Sequence, residues 1–508
     1  MQYVKLFQVV APAEFALAPD IVSTRARRNG FVIRSFASAM ILAAVVISGC
    51  AAGIPTQISQ ARAAAAERNP ATAKPEASAL LAPRPEPILP PGKTRGLLTQ
   101  SLLNGPILPI QNAAAAASFI NQIGVVTHLS YTDTPYYTNF PQIVSALQTL
   151  GVHHIRDGYY PWPAASPIVQ NHQQLASAGI TTDYVVPYDL STTPAAIENF
   201  AAEVGDVESL EAPNECDVSN ACGANGIADV VSFLPVVNAA AKALHVPAVG
   251  PSFALQQSYA SAGNITAQIS VNNLHIYFGG RNPGSNGWGG DDSDGNSYGS
   301  FAYWLDMASA DGPQLGSEIT ESGYMSYPET STPYTVPESV AASYVPRTLL
   351  LAFQHGFKET FLYELIDEVS SPGYGLLHAD LTPKPAYTAV QNLVATLSDD
   401  GGSFTPGFLP YTISGGYSNL NQLLLEKSDG SFWLILWLEE SSWDPVNSVP
   451  VSVAPENIGI ELNNSFRTTT DYQFDSNGNV TRFDQPMNGN WANLTVTDKI
   501  SIVEIKRN

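Results

Sequence analysis

Two short segments place glutamate side chains at the ends of apolar, strand-like runs. The segments read Glu211-Ala-Pro-Asn-Glu215 and Glu318-Ile-Thr-Glu321-Ser-Gly. At such an end a side chain leaves a buried sheet and can meet a ligand. Glycoside hydrolysis needs two carboxyl groups, because one acid protonates the leaving oxygen while one anion attacks the sugar carbon. Glu215 and Glu321 are therefore the candidate catalytic pair; solvated loop acids are the alternative, with Glu318 as a competitor for the second position.

Eight apolar runs alternate with helix-like stretches, and these elements must position the two glutamates. The predicted strands are 124–129, 152–157, 181–187, 207–212, 246–250, 271–277, 314–320 and 357–363. Near-continuous apolar strands are typical of a parallel sheet that helices cover. Eight strand–helix units predict an α/β fold, a (β/α)8 TIM barrel over residues 114–398, whose carboxyl-end face builds active sites. Glu215 then follows the fourth strand and Glu321 the seventh.

The pattern changes near residue 400, where short strands and turn dipeptides replace helical stretches. Residues 423–438 predict a hairpin that turns at Asp429-Gly430, and residues 474–480 predict another with Asn477-Gly478 at the bend. The sequence therefore predicts a C-terminal β-sandwich domain over residues 399–508.

The N-terminal part predicts export. Arg25-Ala-Arg27-Arg28 precedes the apolar run 37–47, which ends in Ser48-Gly49-Cys50, and residues 1–50 therefore read as a signal peptide. The ending resembles a bacterial lipobox with Cys50 as the lipidated residue; a plain signal peptide or an uncleaved anchor is the alternative. The Ala/Pro-rich residues 51–113 predict a linker. We expect an exported protein, either a cell-envelope lipoprotein or secreted, that touches a membrane only through this anchor.

Composition and cysteine usage narrow the partners. The 508 residues include 23 Lys+Arg against 45 Asp+Glu, for a net charge of −22, which disfavours nucleic acid and suits neutral sugars. Besides Cys50, the chain holds Cys216 and Cys222 in one predicted loop. An oxidising compartment would permit a disulfide that stiffens this loop beside Glu215, with two free thiols as the alternative. A monomer is expected.

Further polar residues fall at the ends of other predicted strands. Arg156 lies on strand two, His275-Ile-Tyr277 lies on strand six, and Asn214 precedes Glu215 after strand four. Val249-Gly-Pro-Ser252 on strand five and Thr382-Pro-Lys-Pro-Ala-Tyr387 before the final helix complete the set. In this order the residues resemble the clan A retaining glycoside hydrolases, and a barrel followed by a β-sandwich most resembles the family 39 type.

The resemblance implies a role for each residue. Glu215 would be the general acid/base, and Glu321 would be the nucleophile that forms a glycosyl-enzyme ester. Asn214 would hold the substrate 2-hydroxyl, while Arg156 and Tyr277 would hydrogen-bond Glu321 and keep it ionised. A structural salt bridge is the alternative for Arg156. A carboxyl separation of roughly 5–5.5 Å would imply retention, and roughly 6.5–9.5 Å would imply inversion.

Five more residues are predicted to contact the sugar, and each has an alternative role. His275 is alternatively a core histidine, and His128, at the end of strand one, either lines the site or packs structurally. The clan usually offers a Trp platform after strand eight, where this chain has Tyr363-Glu364. Tyr363 would replace the platform, and Glu364 would bind sugar hydroxyls or compete for the nucleophile role. Trp162 would offer an aromatic face to a sugar or cap the barrel end.

We expect neither a metal nor another cofactor. Asp291-Asp-Ser-Asp-Gly-Asn296 hints at calcium, but the position of its glycine does not fit an EF-hand loop. The sequence therefore predicts an exported retaining β-glycosidase that acts on an extracellular or cell-envelope polysaccharide or oligosaccharide. The alternatives are a non-catalytic carbohydrate-binding surface protein and a transglycosylase that remodels exopolysaccharide.

Overall fold

The computed structural model describes residues 108–219, 222–285, 299–369, 371–415 and 417–508. The predicted signal peptide with Cys50 lies outside the described residues. So do the predicted linker up to residue 107 and the acidic segment 291–296.

Eight strands alternate with eight helices in the first part of the described chain, which also has two short helices at Ala116–Ile120 and Pro135–Thr138. The strands are β1 Ile123–Val126, β2 His154–Gly158, β3 Thr181–Val185, β4 Val207–Glu211, β5 Ala248–Val249, β6 Asn272–His275, β7 Ser317–Ser322 and β8 Thr360–Leu362. The helices are α1 Phe140–Leu150, α2 Pro167–Ser177, α3 Pro194–Val204, α4 Ile227–Leu244, α5 Gln257–Ala262, α6 Phe301–Asp311, α7 Glu338–Gln354 and α8 Pro385–Leu397.

The eight strands form one parallel sheet that closes on itself. Their order is β5-β4-β3-β2-β1-β8-β7-β6, and a parallel bridge between Val249 and Val271 joins the two ends. The predicted TIM barrel is therefore confirmed. Among the described residues, α4 is the one helix long and apolar enough to cross a membrane by length and composition, and here it packs on α3 and β4 as a barrel helix.

Local sequence explains where the barrel helices begin and end. The hydroxyls of Ser166 and Thr193 accept hydrogen bonds from the first turns of α2 and α3, and a proline follows each of them. Helix α1 ends at Gly151, whose φ of 79° favours glycine. These helices cover the outside of the sheet with apolar side chains such as Leu147 and Leu175.

The inside of the barrel is unusually polar. Arg156, Asp183, Glu211, Asn273 and Glu318 are all buried, where a TIM barrel ordinarily stacks branched apolar side chains. Buried charges are stable only when they are paired and hydrogen-bonded. The strands therefore bring these groups together in networks, and the uppermost network forms the candidate site.

A two-sheet β-sandwich follows the barrel, as predicted. Its strands are β9 Phe408–Ser414, β10 Leu420–Glu426, β11 Phe432–Leu438, β12 Glu456–Leu462, β13 Phe466–Phe474, β14 Val480–Asp484, β15 Trp491–Val496 and β16 Ser501–Arg507. Strands β10 and β11 form the predicted hairpin at Asp429-Gly430, and β13 and β14 form the second at Asn477-Gly478.

The start of the described chain belongs to the sandwich. Ile110–Asn112 pairs antiparallel with β9, and Ala114–Ala115 pairs in parallel with β10. From the sequence, the first segment is predicted to lie in the linker and the second in the barrel. Both segments instead cover strands that would otherwise be sheet edges, where unpaired backbone groups favour the addition of a strand.

A buried ion pair joins the sandwich to the barrel. Arg347 of α7 donates to the Glu439 carboxylate just beyond β11 and to the carbonyl oxygen of Asp498. Glu439 also accepts from the Asn282 side chain and from the backbone N–H of Gly284. Because Asn282 and Gly284 lie in the loop after β6, the sandwich holds a loop at the carboxyl-end face of the barrel.

Candidate active site

Glu215 and Glu321 meet at the carboxyl-end face of the barrel. Glu321 lies within β7, whereas Glu215 lies four residues beyond the end of β4. Asn214 bridges to Ser252, and the N–H of Glu215 donates to the carbonyl oxygen of Ser252 at 3.1 Å. The chain after β5 thus holds Glu215 in a left-handed conformation, with φ at 45°. Such a conformation is rare for a residue with a side chain.

Glu321 is held as an anion. Its Oε1 accepts from Arg156 Nη1 at 2.7 Å, and its Oε2 accepts from the Tyr277 hydroxyl at 2.8 Å. Burial alone would raise the pKa of this carboxyl group. His275, Arg156 and Tyr277 together outweigh burial and hold the pKa of Glu321 below its usual value.

Glu215 has the opposite electrostatic bias. Burial raises its pKa, His275 opposes that effect, and the negative charge of Glu321 raises it further. The Glu215 Oε1 atom lies 2.9 Å from His275 Nδ1. Two neighbouring carboxyl groups whose environments separate their pKa values are suited to separate acid and base roles.

One proton is held between His275 and Glu215. The amide of Asn273 donates to the Gly250 carbonyl oxygen, so its Oδ1 accepts the Thr320 hydroxyl at 2.6 Å. Thr320 Oγ1 then accepts from His275 Nε2 at 3.1 Å. A neutral His275 carrying its hydrogen on Nε2 leaves Nδ1 as an acceptor for a protonated Glu215, and a charged His275 donates to a Glu215 carboxylate. In both states the contact keeps one proton beside Glu215.

Glu211 anchors the arginine of the site, and the sequence analysis did not single it out. Arg156 donates through Nε and Nη2 to the two Glu211 oxygens at 2.6 and 2.8 Å. Nη2 also donates to Asn214 Oδ1 at 2.7 Å, which leaves the amide NH2 of Asn214 as its donor end. A bidentate pair fixes the orientation of the guanidinium. The sequence feature that could have identified Glu211 is its position as the last residue of a buried strand.

A second acidic cluster lies at the ends of β1 and β8. It consists of His128, Glu364 and Glu368, and one ligating atom of each lies within 4.8 Å of those of the other two. His128 Nε2 is 3.3 Å from Glu364 Oε2, and Ser371 donates to Glu364. Burial would lower the pKa of His128, but its contact with Glu364 raises it to about 9. His128 is therefore a cation near neutral pH.

An aromatic row connects this acidic cluster with the catalytic pair. Tyr277, which donates to Glu321, packs edge-on against Tyr374 at 5.7 Å between ring centroids. Tyr374 packs on Tyr363 at 5.6 Å, and Tyr363 packs on His128 at 5.9 Å. His128 in turn stacks on Tyr131 at 4.7 Å. Rings of this kind offer apolar faces and polar edges to a sugar.

The structure brings most of the predicted site residues together. Glu215 and Glu321 form one hydrogen-bonded network with the predicted sugar contacts Asn214, Arg156, His275 and Tyr277. His128 and Glu364 belong to the acidic cluster. Tyr363 is only 3% exposed, so the half-buried Tyr374, which no sequence signal marked, is the more accessible ring. The Tyr363–Glu364 peptide is cis. Trp162 instead packs on an apolar cluster between the sheet and helices α2 to α4.

Cys216 and Cys222 form a disulfide, with 5.3 Å between their Cα atoms. The bond therefore begins at the residue after Glu215, as the sequence analysis anticipates.

Within the described ranges, three groups of side chains have the ligating atoms and spacing to hold a metal ion. They are the acidic cluster, the trio of Glu215, His275 and Glu321, and the trio of His154, Glu208 and Glu359 at the opposite end of the barrel. The first two groups already contain short ion pairs or hydrogen bonds between their members. The third has a contact of 2.7 Å between His154 and Glu208.

Comparisons with known proteins agree with the barrel. No protein-family profile and no curated protein matches the chain. An arabinofuranosidase structure is similar at 10% identity with a TM-score of 0.50, covering 78% of this chain and all 100% of that one. A family 39 glycoside hydrolase from Bacteroides cellulosilyticus WH2 is similar at 15% identity and a TM-score of 0.47, covering 77% and 82%. The GH30 xylanase C of Talaromyces cellulolyticus is similar at 12% identity and 0.48, covering 79% and 98%.

The family 39 and GH30 structures are glycoside hydrolases by description. The likeness to the arabinofuranosidase structure supports the shared fold, and the function of this chain has to be argued from its own site.

Proposed function

We propose that this protein is an exported retaining glycoside hydrolase that cleaves β-glycosidic bonds in an extracellular or cell-envelope polysaccharide or oligosaccharide. The observation that carries the proposal is the pair of Glu215 and Glu321. Carboxylate oxygens of the two residues lie within 4.8 Å of each other, and their surroundings shift the two pKa values in opposite directions. A short carboxylate separation suits a nucleophile that attacks carbon directly.

In the first step Glu321 attacks the anomeric carbon while Glu215 protonates the glycosidic oxygen. The bond between carbon and the leaving oxygen breaks, an ester to Glu321 forms, and the leaving group departs as an alcohol. Arg156 and Tyr277 orient the attacking carboxylate through bonds of 2.7 and 2.8 Å. The proton that Glu215 delivers is the one held beside His275.

In the second step Glu215 acts as a base. Because the negative charge of Glu321 contributes to the raised pKa of Glu215, that pKa falls once Glu321 has become a neutral ester. Glu215 then takes a proton from water, the resulting hydroxide attacks the anomeric carbon, and the ester bond breaks. This step restores the Glu321 carboxylate and the protonated Glu215, so the cycle closes without a cofactor.

Export and an extracellular substrate are supported by the N-terminal sequence and by the disulfide. The basic and apolar segments before Cys50 have the order of an export signal, and disulfides persist in oxidising compartments.

The experiment is a screen of aryl glycosides and polysaccharides with the wild type beside Glu215→Gln and Glu321→Gln. Glu461→Gln, on β12 of the sandwich, is the matched control and should keep wild-type activity. We expect Glu215→Gln to spare substrates with good leaving groups, because these do not need an acid, whereas Glu321→Gln should lose all of them. Hydrolysis that survives both changes would refute the mechanism, and a wild type that binds but never cleaves would favour a non-catalytic carbohydrate-binding protein.

A further inference from the structure

Resting on that proposed function, we propose that the site selects neutral sugars and rejects uronic acids. The charges around the catalytic pair carry this inference. Six carboxyl groups belong to the network around the catalytic pair, to the acidic cluster or to the end of β2. They are Asp157, Glu211, Glu215, Glu321, Glu364 and Glu368. All six of these residues are buried.

The cationic side chains of the site are already engaged. Arg156 is the one Lys or Arg of the described residues that contacts the catalytic pair, and it divides its donors between Glu211, Glu321 and the Asn214 amide oxygen. His275 shares its proton with Glu215. A sugar carboxylate entering beside Glu321 would therefore meet no uncommitted cation among these groups.

The acidic cluster has the same character. His128 faces both Glu364 and Glu368, so its single positive charge is matched against two carboxyl groups. Asp157 also faces this region, where its Oδ2 accepts from the Thr127 hydroxyl and the Leu129 N–H. A sugar carboxylate brought from water to this place would lose its hydration and would be repelled by the carboxyl groups already there.

The tyrosines of the aromatic row supply hydrogen-bond donors for sugar hydroxyl groups. Burial raises the pKa values of Tyr374 and Tyr277 well above the usual range of a phenol. Their phenols therefore stay protonated and donate hydrogen bonds. Carboxylates that accept and phenols that donate together match sugar hydroxyls, which do both.

The test compares 4-nitrophenyl β-glycosides that differ only at carbon 6, as glucoside with glucuronide, galactoside with galacturonide and mannoside with mannuronide. A xyloside, which lacks carbon 6, and neutral and uronic polysaccharides extend the set. EDTA is present throughout, so that no metal ion neutralises the acidic cluster. We expect kcat/KM for the neutral member to exceed that of its uronide by about tenfold or more, because each nearby charge pair contributes on this scale.

Two variants test whether the acidic cluster causes the preference for neutral sugars. Glu364→Gln and Glu368→Gln should each narrow the ratio of neutral to uronide kcat/KM by about fivefold, whereas Glu461→Gln removes the same charge from the sandwich and should leave the ratio unchanged. The wild-type ratio is decisive even if a variant fails to fold.

A uronide cleaved as fast as its neutral counterpart would overturn the selection for neutral sugars while leaving the proposed hydrolase intact. Cleavage of uronides alone would likewise overturn the selection and leave the hydrolase intact, whereas failure of the wild type to cleave any member of the set, neutral or uronic, would overturn the proposed function and the selection together.

Discussion

The hydrogen bond from Tyr277 to Glu321 should set the pH at which the protein becomes active. Its O–O distance is 2.8 Å, and both side chains are mostly shielded from water. A hydrogen bond to a charged group contributes about 1.5–3 kcal/mol, and each 1.36 kcal/mol corresponds to one pKa unit. Tyr277→Phe should therefore raise the pKa of Glu321 by about 1–2 units. Because the nucleophile must be ionised, the acidic limb of kcat/KM should move to higher pH by that amount.

The assay is a pH profile of kcat/KM for wild type, Tyr277→Phe and Tyr374→Phe on one activated aryl glycoside. Tyr374→Phe is the matched control, since it removes a hydroxyl from the adjoining ring that has no hydrogen bond to Glu321 in the described part of the chain. Its acidic limb should stay in place even if its KM changes. An unmoved acidic limb in Tyr277→Phe, or an equal movement in both variants, would refute the role given to this hydrogen bond.

Three further predictions concern stability and loop position. Burial raises the pKa of Glu318 from 4.5 to about 8, so its contribution to folding is full below pH 4.5 and is lost as pH rises through 8. In denaturant titrations between pH 5 and 9, wild type should lose about 4 kcal/mol more unfolding free energy than Glu318→Gln, in which this group cannot titrate. Glu439→Gln leaves Arg347 without its anion and should cost about 3 kcal/mol, with a raised KM because the loop after β6 loses its anchor. Replacing Cys216 and Cys222 with Ser should lower the unfolding free energy by at most about 2 kcal/mol, since the closed ring is small. The same change should lower kcat because Glu215 adjoins Cys216. Unchanged thermal melts and an unchanged kcat would contradict this prediction.

The elements of the barrel were predictable because each has a strong local signal. Buried strands such as β1 appear in the sequence as apolar runs, and the hairpins of the sandwich turn at Asp-Gly and Asn-Gly. The carboxyl-end position of Glu215 and Glu321 then follows from strand order alone, since the ends of parallel strands share one face.

What sequence could not supply are contacts between distant strands. Glu211 binds Arg156 only because β4 and β2 turn their ends into the same barrel interior, and nothing local to either residue reports this. Tyr374 lies in the long loop after β8, whose path depends on packing against Tyr277 and Tyr363. The packing of Trp162 is hidden from the sequence for a similar reason, because its ring contacts an apolar cluster built from several strands and helices.

The most direct test of the double displacement is the anomeric configuration of the first product. Wild-type enzyme would hydrolyse an activated aryl β-glycoside inside an NMR tube while the anomeric proton signals are recorded before mutarotation. We predict that the β-anomer of the released sugar appears first, since two inversions through an ester on Glu321 restore the starting configuration. Initial release of the α-anomer would mean direct attack by water, and would contradict the role of Glu321 as nucleophile.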